Sequence, residues 1–235
     1  MKREMGIRAF GVVLVLLAGA GLARAESFYV ETFDAGNAGW MVWGTGSEAG
    51  WSLSGGNPDG HITADIGPGV YKVQAGDADP YAFPVLPGAI ATDIRVDSVS
   101  DPADAYVRFF VGDGDGGYFA TTGRALTTFD LATWTRFEVA VDVGNFVYWD
   151  GASAAVPVVD QAALAAALMA PAGIGLLFSG HTLGQDAFPG TASISIDNFD
   201  SVPPVPEPLT MLSAFLAIGS FGMYVRKHTR KQAAR

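Results

Sequence analysis

The sequence predicts an all-β chain: a two-sheet antiparallel β-sandwich carrying one short helix, with a transmembrane helix beyond it near the C-terminus. Three observations carry this expectation. Short runs of period-two alternation recur through the middle of the chain. Of the 30 glycines, 24 fall in residues 26–204, about 13% of that stretch against a usual share of about 7%, so turns are frequent. An uncharged run of seventeen residues, 209–225, stands near the end. With 235 residues and 49% hydrophobic side chains, the chain has material for a full core.

Taken from the N-terminus, residues 1–8 carry Lys2, Arg3 and Arg8, and residues 9–22 form an almost wholly apolar run too short to span a bilayer comfortably. Ala23-Arg24-Ala25 then places small residues at both specificity positions of a signal-peptidase site. Residues 1–25 therefore read as a signal peptide, exported by the Sec machinery and cleaved after Ala25.

Residues 26–200 form the predicted sandwich domain. Strands are expected at 28–33, 61–66, 70–73, 89–99, 105–111, 118–121, 136–143, 146–149, 175–178 and 192–199. Asp93, Arg95 and Asp97 alternate with Ile94 and Val96, so one face of that strand is wet and the other buried, as antiparallel sheets allow. A helix is expected over 161–169, with Asp160 capping its free amides and Pro171-Ala172-Gly173 ending it. Residues 201–208 hold four prolines and predict a stiff extended stalk. The transmembrane segment 209–225 follows, and then a basic tail, 226–235, with Arg226, Lys227, Arg230 and Lys231. Positive residues beside a membrane segment stay cytoplasmic, which puts the sandwich on the far side.

The stalk contains Val205-Pro206-Glu207-Pro208, and the order of Pro-Glu-Pro motif, short apolar helix with Gly219, Ser220 and Gly222, and terminal Arg/Lys cluster resembles the PEP-CTERM sorting signal. That resemblance implies export by a Gram-negative bacterium, a stay in the inner membrane, and tail processing by an exosortase, followed by transfer to the cell surface or extracellular matrix. It covers about thirty residues and implies nothing about the activity of the exported domain.

A second resemblance covers the domain. Glu31-Thr32-Phe33-Asp34 with Gly39-Trp40, then Gly56-Asn57-Pro58-Asp59-Gly60, and finally Ser195-Ile196-Asp197-Asn198-Phe199 look like landmarks of laminin-G-like or carbohydrate-binding jelly rolls, of concanavalin A-like or galactose-binding-like form. It implies a structural Ca²⁺ joining the first strand to the last, with Glu31, Asp34 and Asp197 as candidate ligands. Extracellular polysaccharide becomes a candidate partner. The early aromatics include Trp43 and Trp51, both in Gly/Ser-rich connections, which makes these two the candidate glycan-stacking residues.

Charge and chemistry narrow the classes. Residues 26–204 hold 22 acidic against 5 basic residues, a net of −17 that repels phosphate backbones, so nucleic acid is excluded as a partner. The chain has no cysteine, which excludes disulfides, Cys-ligated metal and thiol catalysis. No Gly-x-Ser-x-Gly elbow occurs. Glu138 and Asp142 lie about 13 Å apart along a strand, outside both glycosidase spacings. His61, Thr63 and Asp65 share a strand face but read as structural, and residues 112–117 read as an Asp-Gly hairpin turn and not a calcium loop. The expected function is a non-enzymatic exported surface or matrix protein with polysaccharide as its candidate ligand. The alternative is a surface glycoside hydrolase or polysaccharide lyase of jelly-roll fold, which needs a cross-strand carboxylate pair facing a groove.

The tail gives the first prediction. Mass spectrometry of the protein from an exosortase-bearing host should find a C-terminus at or near residues 205–208, with 209–235 lost. A mature C-terminus at Arg235 would overturn processing.

Overall fold

The computed structural model describes residues 29–44, 47–57, 59–75, 83 and 86–202. The signal peptide, the Val205-Pro206-Glu207-Pro208 motif, the 209–225 segment and the basic tail lie outside the described residues. The chain divides into two compact units, Met1–Pro203 and Pro204–Arg235, and every described residue belongs to the first.

In chain order the strands are β1 (Tyr29–Glu31), β2 (Met41–Trp43), β3 (Ser47–Glu48), β4 (Gly50–Ser52), β5 (His61–Ile66), β6 (Tyr71–Gln74), β7 (Ala89–Val99) and β8 (Tyr106–Gly112). They continue as β9 (Tyr118–Thr121), β10 (Arg124–Ala125), β11 (Thr135–Ala140), β12 (Phe146–Trp149), β13 (Val156–Pro157), β14 (Ile174–Ser179) and β15 (Ala192–Val202). The helix α1 (Gln161–Met169) lies between β13 and β14. The first sheet runs β11-β7-β15-β5-β4, with β1 also on β15. The second runs β13-β12-β9-β8-β14-β6-β2-β3, with β10 also on β8. Every strand pair in both is antiparallel.

Alternation explains the sandwich. Ile94 and Val96 of β7, Ile194 and Ile196 of β15, and Ile62 and Ala64 of β5 point inward from the first sheet. Val107 and Phe109 of β8, Leu176 and Phe178 of β14, and Val73 of β6 meet them from the second. Trp40 is fully buried, edge-on to Phe33 at 5.4 Å and to Phe199 at 5.1 Å between ring centroids. Phe109 stacks on Phe137 of the other sheet at 4.5 Å. The helix spans the predicted residues; the Asp160 carboxylate accepts from the Ala162 and Ala163 amides, and Leu164, Ala167 and Leu168 join the core.

One irregularity sets the phase of β15. The pairing of β15 with β7 shifts between Asp197 and Asp200, so Asn198 and Phe199 together oppose one residue of β7. Asn198 takes φ +48°, a left-handed conformation that Asn tolerates better than most residues. Before the bulge the even positions Ile194 and Ile196 face inward; after it Phe199 does. Thr92 Oγ1 donates to the Asp197 carbonyl at 2.8 Å and satisfies the backbone group that the bulge displaces.

Several boundaries differ from the sequence reading: the strand expected at 136–143 ends at Ala140, that expected at 28–33 is Tyr29–Glu31, and two further differences bear on the stalk and the candidate tryptophans. Ser201 and Val202, read as the start of the stalk, continue β15, paired with Ile90 and Ala89. Trp43 and Trp51, read as loop residues, end β2 and sit within β4. Both shifts have one cause, pairing with a neighbour that sequence periodicity does not report. Among the described residues no helix is long and apolar enough to cross a membrane.

Trp40→Ala should destabilise the chain by about 3–5 kcal/mol, because it empties a large site between the sheets. Urea denaturation checks this, and a loss under about 1 kcal/mol would mean that the core closes without it.

Candidate functional site

Two polar regions lie on the outer faces of the sheets. On the first sheet, Asp93 and Asp197 stand directly opposite each other across β7 and β15. This is the cross-strand carboxylate pair that the enzyme alternative needs. It faces no groove. Asp197 is fully buried, its Oδ2 accepting from the Asn57 amide at 2.5 Å and its Oδ1 from the Asn198 amide at 2.7 Å. The side-chain amides of Asn57 and Asn198 donate to Asp93 Oδ2 at 3.3 and 2.8 Å, and Asn198 Nδ2 also reaches the Asn57 carbonyl. The turn around residues 55–60 thus roofs the pair. Gly56 is required in that roof, since a Cβ there would meet the Gly60 and Asp59 carbonyls and the Asp197 carboxylate.

Burial, with repulsion from Asp93 and Asp34 adding to it, pushes the Asp197 carboxyl up to about 6 against the pull of its two amide bonds. Arg136 lies 3.7 Å from Asp93 and donates to Asp200 at 2.5 Å. Burial raises the Asp200 carboxyl despite that partner. His61 is buried edge-on to Trp134 at 5.7 Å, and burial together with Arg95 holds its pKa down.

The three candidate calcium ligands each hold a different stretch of backbone. Glu31 accepts from the Phe33 amide at 3.1 Å, Asp34 from the Gly60 amide at 3.2 Å and the Thr32 hydroxyl at 2.8 Å, and Asp197 from the two amides above. Among the described residues no group of three or more His, Asp or Glu side chains is placed to hold a metal ion. These carboxylates do bring the first strand, the 55–60 turn and the last strand together, through amides. Asp142 caps a 3₁₀ turn after β11 instead of sharing a strand face with Glu138, and Asp113 closes the β8–β9 hairpin by accepting from the Asp115 and Gly117 amides.

The second sheet's outer face is different in kind. Trp43 pairs with Lys72, Lys72 with Leu177, and Leu177 with Arg108, a row across β2, β6, β14 and β8. The core residues Val42, Val73, Leu176 and Val107 precede or follow them, which fixes this row on the outer side. Trp43 is 48% exposed. Lys72 Nζ lies 5.9 Å from the Trp43 ring centroid and 4.1 Å from that of Tyr118, and donates to the Tyr118 hydroxyl at 2.7 Å.

Further along, Phe110, Ala120 and Leu177 are buried on this same face by Leu183 and Ala155, carried on the loops after β14 and β12. The Ala155 amide donates to the Leu183 carbonyl at 3.1 Å and joins the two loops. Beside them lies a cavity of about 230 Å³, whose lining includes Arg108, Thr122, Ala155, His181 and Thr182.

The two candidate tryptophans lie on different sheets and are about equally exposed, Trp43 48% and Trp51 43%. Trp51 pairs with the core residue Ile62 on the first sheet, and its indole N–H donates to the Phe33 carbonyl at 2.7 Å. It pins a turn in which Phe33 holds φ +55°. Sequence reasoning missed Lys72, Tyr118 and Arg108. The available signal was Arg108 itself, a charge within the run Tyr106–Gly112 that is otherwise too apolar for a solvated face.

No family model matches the chain, and no curated protein matches it. Among solved structures it is similar to a β-1,2-glucanase from Parabacteroides distasonis, at 11% identity and a TM-score of 0.41, over 77% of this chain and 24% of that one. It is also similar to SGBP-B from a complex xyloglucan utilization locus in Bacteroides uniformis, at 11% identity and a TM-score of 0.38, over 74% of this chain and 49% of that one. The chain spans about a quarter of the first and half of the second.

Asp197 gives a pH prediction. Its folded pKa lies above its unfolded value, so the folded state holds this proton more tightly and gains stability as pH falls from about 6 towards about 4. Asp197→Asn removes that gain and adds a fixed cost for the lost acceptor. Urea denaturation at pH 7 and pH 4.5 should show wild type pulling further ahead of the variant at the lower pH; a constant gap would mean that Asp197 titrates normally.

Proposed function

We propose that the chain is an exported, non-enzymatic surface or matrix protein of a Gram-negative bacterium. Its β-sandwich, a jelly roll of concanavalin A-like or galactose-binding-like kind, holds extracellular polysaccharide on the outer face of the second sheet. In this reading the Sec machinery exports it, signal peptidase removes residues 1–25, and the tail holds it in the inner membrane. An exosortase then processes the chain near Val205-Pro206-Glu207-Pro208.

The observation that carries the binding reading is the row begun by Trp43. A half-exposed indole held beside an ammonium and a phenol offers a flat apolar surface with hydrogen-bonding groups at its edge, the combination that stacks on a pyranose ring and reads its hydroxyls. On a rigid sheet such a platform is preorganised, so little ordering cost attends binding. Trp51 supports the fold in this reading and leaves Trp43 as the stacking residue. The hydrolase or lyase alternative rests on Asp93 and Asp197, and it requires the 55–60 turn to lift from a pair whose oxygens now hold that turn in place.

Retention of the full chain on extracellular polysaccharide from its host tests the reading. Trp43→Ala should weaken retention about tenfold, about 1.4 kcal/mol, at an unchanged melting temperature. Trp51→Ala should lower the melting temperature by breaking its bond to Phe33. Unchanged retention in Trp43→Ala would overturn this face as the binding surface.

A further inference from the structure

The sandwich stretch holds 22 acids and 5 bases, yet its most buried cation lies within ion-pair distance of none of the described acids. Arg95 pairs with Asp97, and Arg136 with Asp93 and Asp200. Arg108 is 2% exposed and donates from Nη1 to Ser179 Oγ and from Nη2 to the His181 carbonyl, each at 2.6 Å, both neutral acceptors. Its Nε has no partner among the described residues. Two of five N–H donors are engaged, and no acid among the described residues neutralises the charge. Burial lowers its pKa only to about 10, so it remains a cation at neutral pH.

An isolated buried cation is costly, and in a chain so rich in carboxylates a partner was available to selection at almost any neighbouring position. The surroundings instead preserve the site. Gly123, at φ +94°, packs directly on the guanidinium, where any Cβ would collide with Cζ and Nε. Tyr106 lies 5.4 Å from the guanidinium carbon, and its hydroxyl is bonded to His181 Nδ1 at 2.8 Å. Asp186, the acid on the loop after β14, commits Oδ2 to the Thr182 amide. The cavity that Arg108 lines is open to solvent on the same sheet face as Trp43, and Thr122, His181 and Thr182 supply polar groups around it.

We propose that this cavity is a carboxylate subsite in which Arg108 pairs with the uronate group of one acidic sugar residue while the threonines meet that sugar's hydroxyls. The inference rests on the polysaccharide reading above and names its ligand class. A guanidinium offers a planar set of donors that matches a carboxylate edge to edge. The volume, below the ~300–1,000 Å³ of drug-sized pockets, suits a single residue and not a chain segment, so neighbouring residues would extend along the sheet face. The domain's net negative charge does not forbid this. Exposed acids more than about 8 Å away are screened at physiological salt, whereas a contact pair in the cavity is screened far less. Binding should therefore hold or strengthen as salt rises, opposite to a protein that gathers polyanions by surface charge.

Calorimetric titration of the full chain with three probes tests the proposal: a glucuronate-containing trisaccharide, its neutral glucose counterpart, and acetate. The expected result is binding of the glucuronate probe at least about tenfold tighter than the other two. That binding should be lost in Arg108→Lys, which keeps the charge without the planar donor set, and in Ala155→Leu, which narrows the cavity and retains Arg108. If Arg108→Lys fails to fold, Ala155→Leu decides alone. Equal binding of acetate and glucuronate would overturn the sugar assignment. Binding of the neutral probe alone, sensitive to Trp43→Ala and indifferent to Ala155→Leu, would overturn the subsite and leave the polysaccharide reading standing. Binding of no probe would overturn the subsite, and the polysaccharide reading would then fall or stand on retention by the host polysaccharide.

Discussion

A chain of buried aromatic rings, from Phe33 through Trp40, Phe199 and Phe109 to Phe137, ties the two sheets together, and the placement of nearly everything else follows from keeping it closed. Phe199 is its pivot, in contact with Trp40 on one side and Phe109 on the other. It faces inward only because the bulge at Asn198 shifts the phase of β15 by one residue. The same shift leaves Asp197 and Asp200 both on the outer face, where they hold the 55–60 turn and Arg136. Burial of the rings and anchoring of an outer turn therefore depend on one backbone irregularity, and a side chain intolerant of positive φ at 198 would disturb both.

The acids of this chain act mostly as local fasteners. Asp34, Asp113, Asp142, Asp150, Asp160 and Asp197 all accept from backbone amides, so the high Asp content is in part a means of closing many turns without cysteine. A carboxylate used in this way is stabilised by fixed dipoles instead of counter-ions, which is why five bases suffice among so many acids. Against that background Arg108 is the exception, a buried cation whose only hydrogen-bond partners among the described residues are neutral groups, beside a pair of joined loops.

Much of the fold was legible in the chain because long strands carry alternation: β7, β9, β12 and α1 lie where period and capping put them. The short strands β2, β3, β4, β10 and β13 were not, since they exist through pairing with distant neighbours and have no period of their own. The candidate site divides the same way. Trp43 was legible as a ring followed by Gly44-Thr45-Gly46, a context that leaves side chains exposed. Its association with Lys72, Leu177 and Arg108 was not, because that row is assembled from four strands spread over 134 residues and depends on register alone. The early aromatics that looked like one cluster are split by Ala49, a buried residue at which the chain passes from the second sheet to the first.

The place of β15 also sets when this chain can fold. Among the described residues it is the last strand in the chain, yet it lies inside the first sheet, with β7 on one side and β5 and β1 on the other. Until residue 202 has been made, the earlier strands of that sheet have a gap at their centre, and β1 and β5 have no common partner. A ribosome- or channel-bound intermediate is thereby denied its hub, and premature compaction is disfavoured by long-range pairing that is still missing. The order of strands along the sequence thus puts the hub of the first sheet last: β1, β5 and β7 gain their common partner only once residues 192–202 have been made.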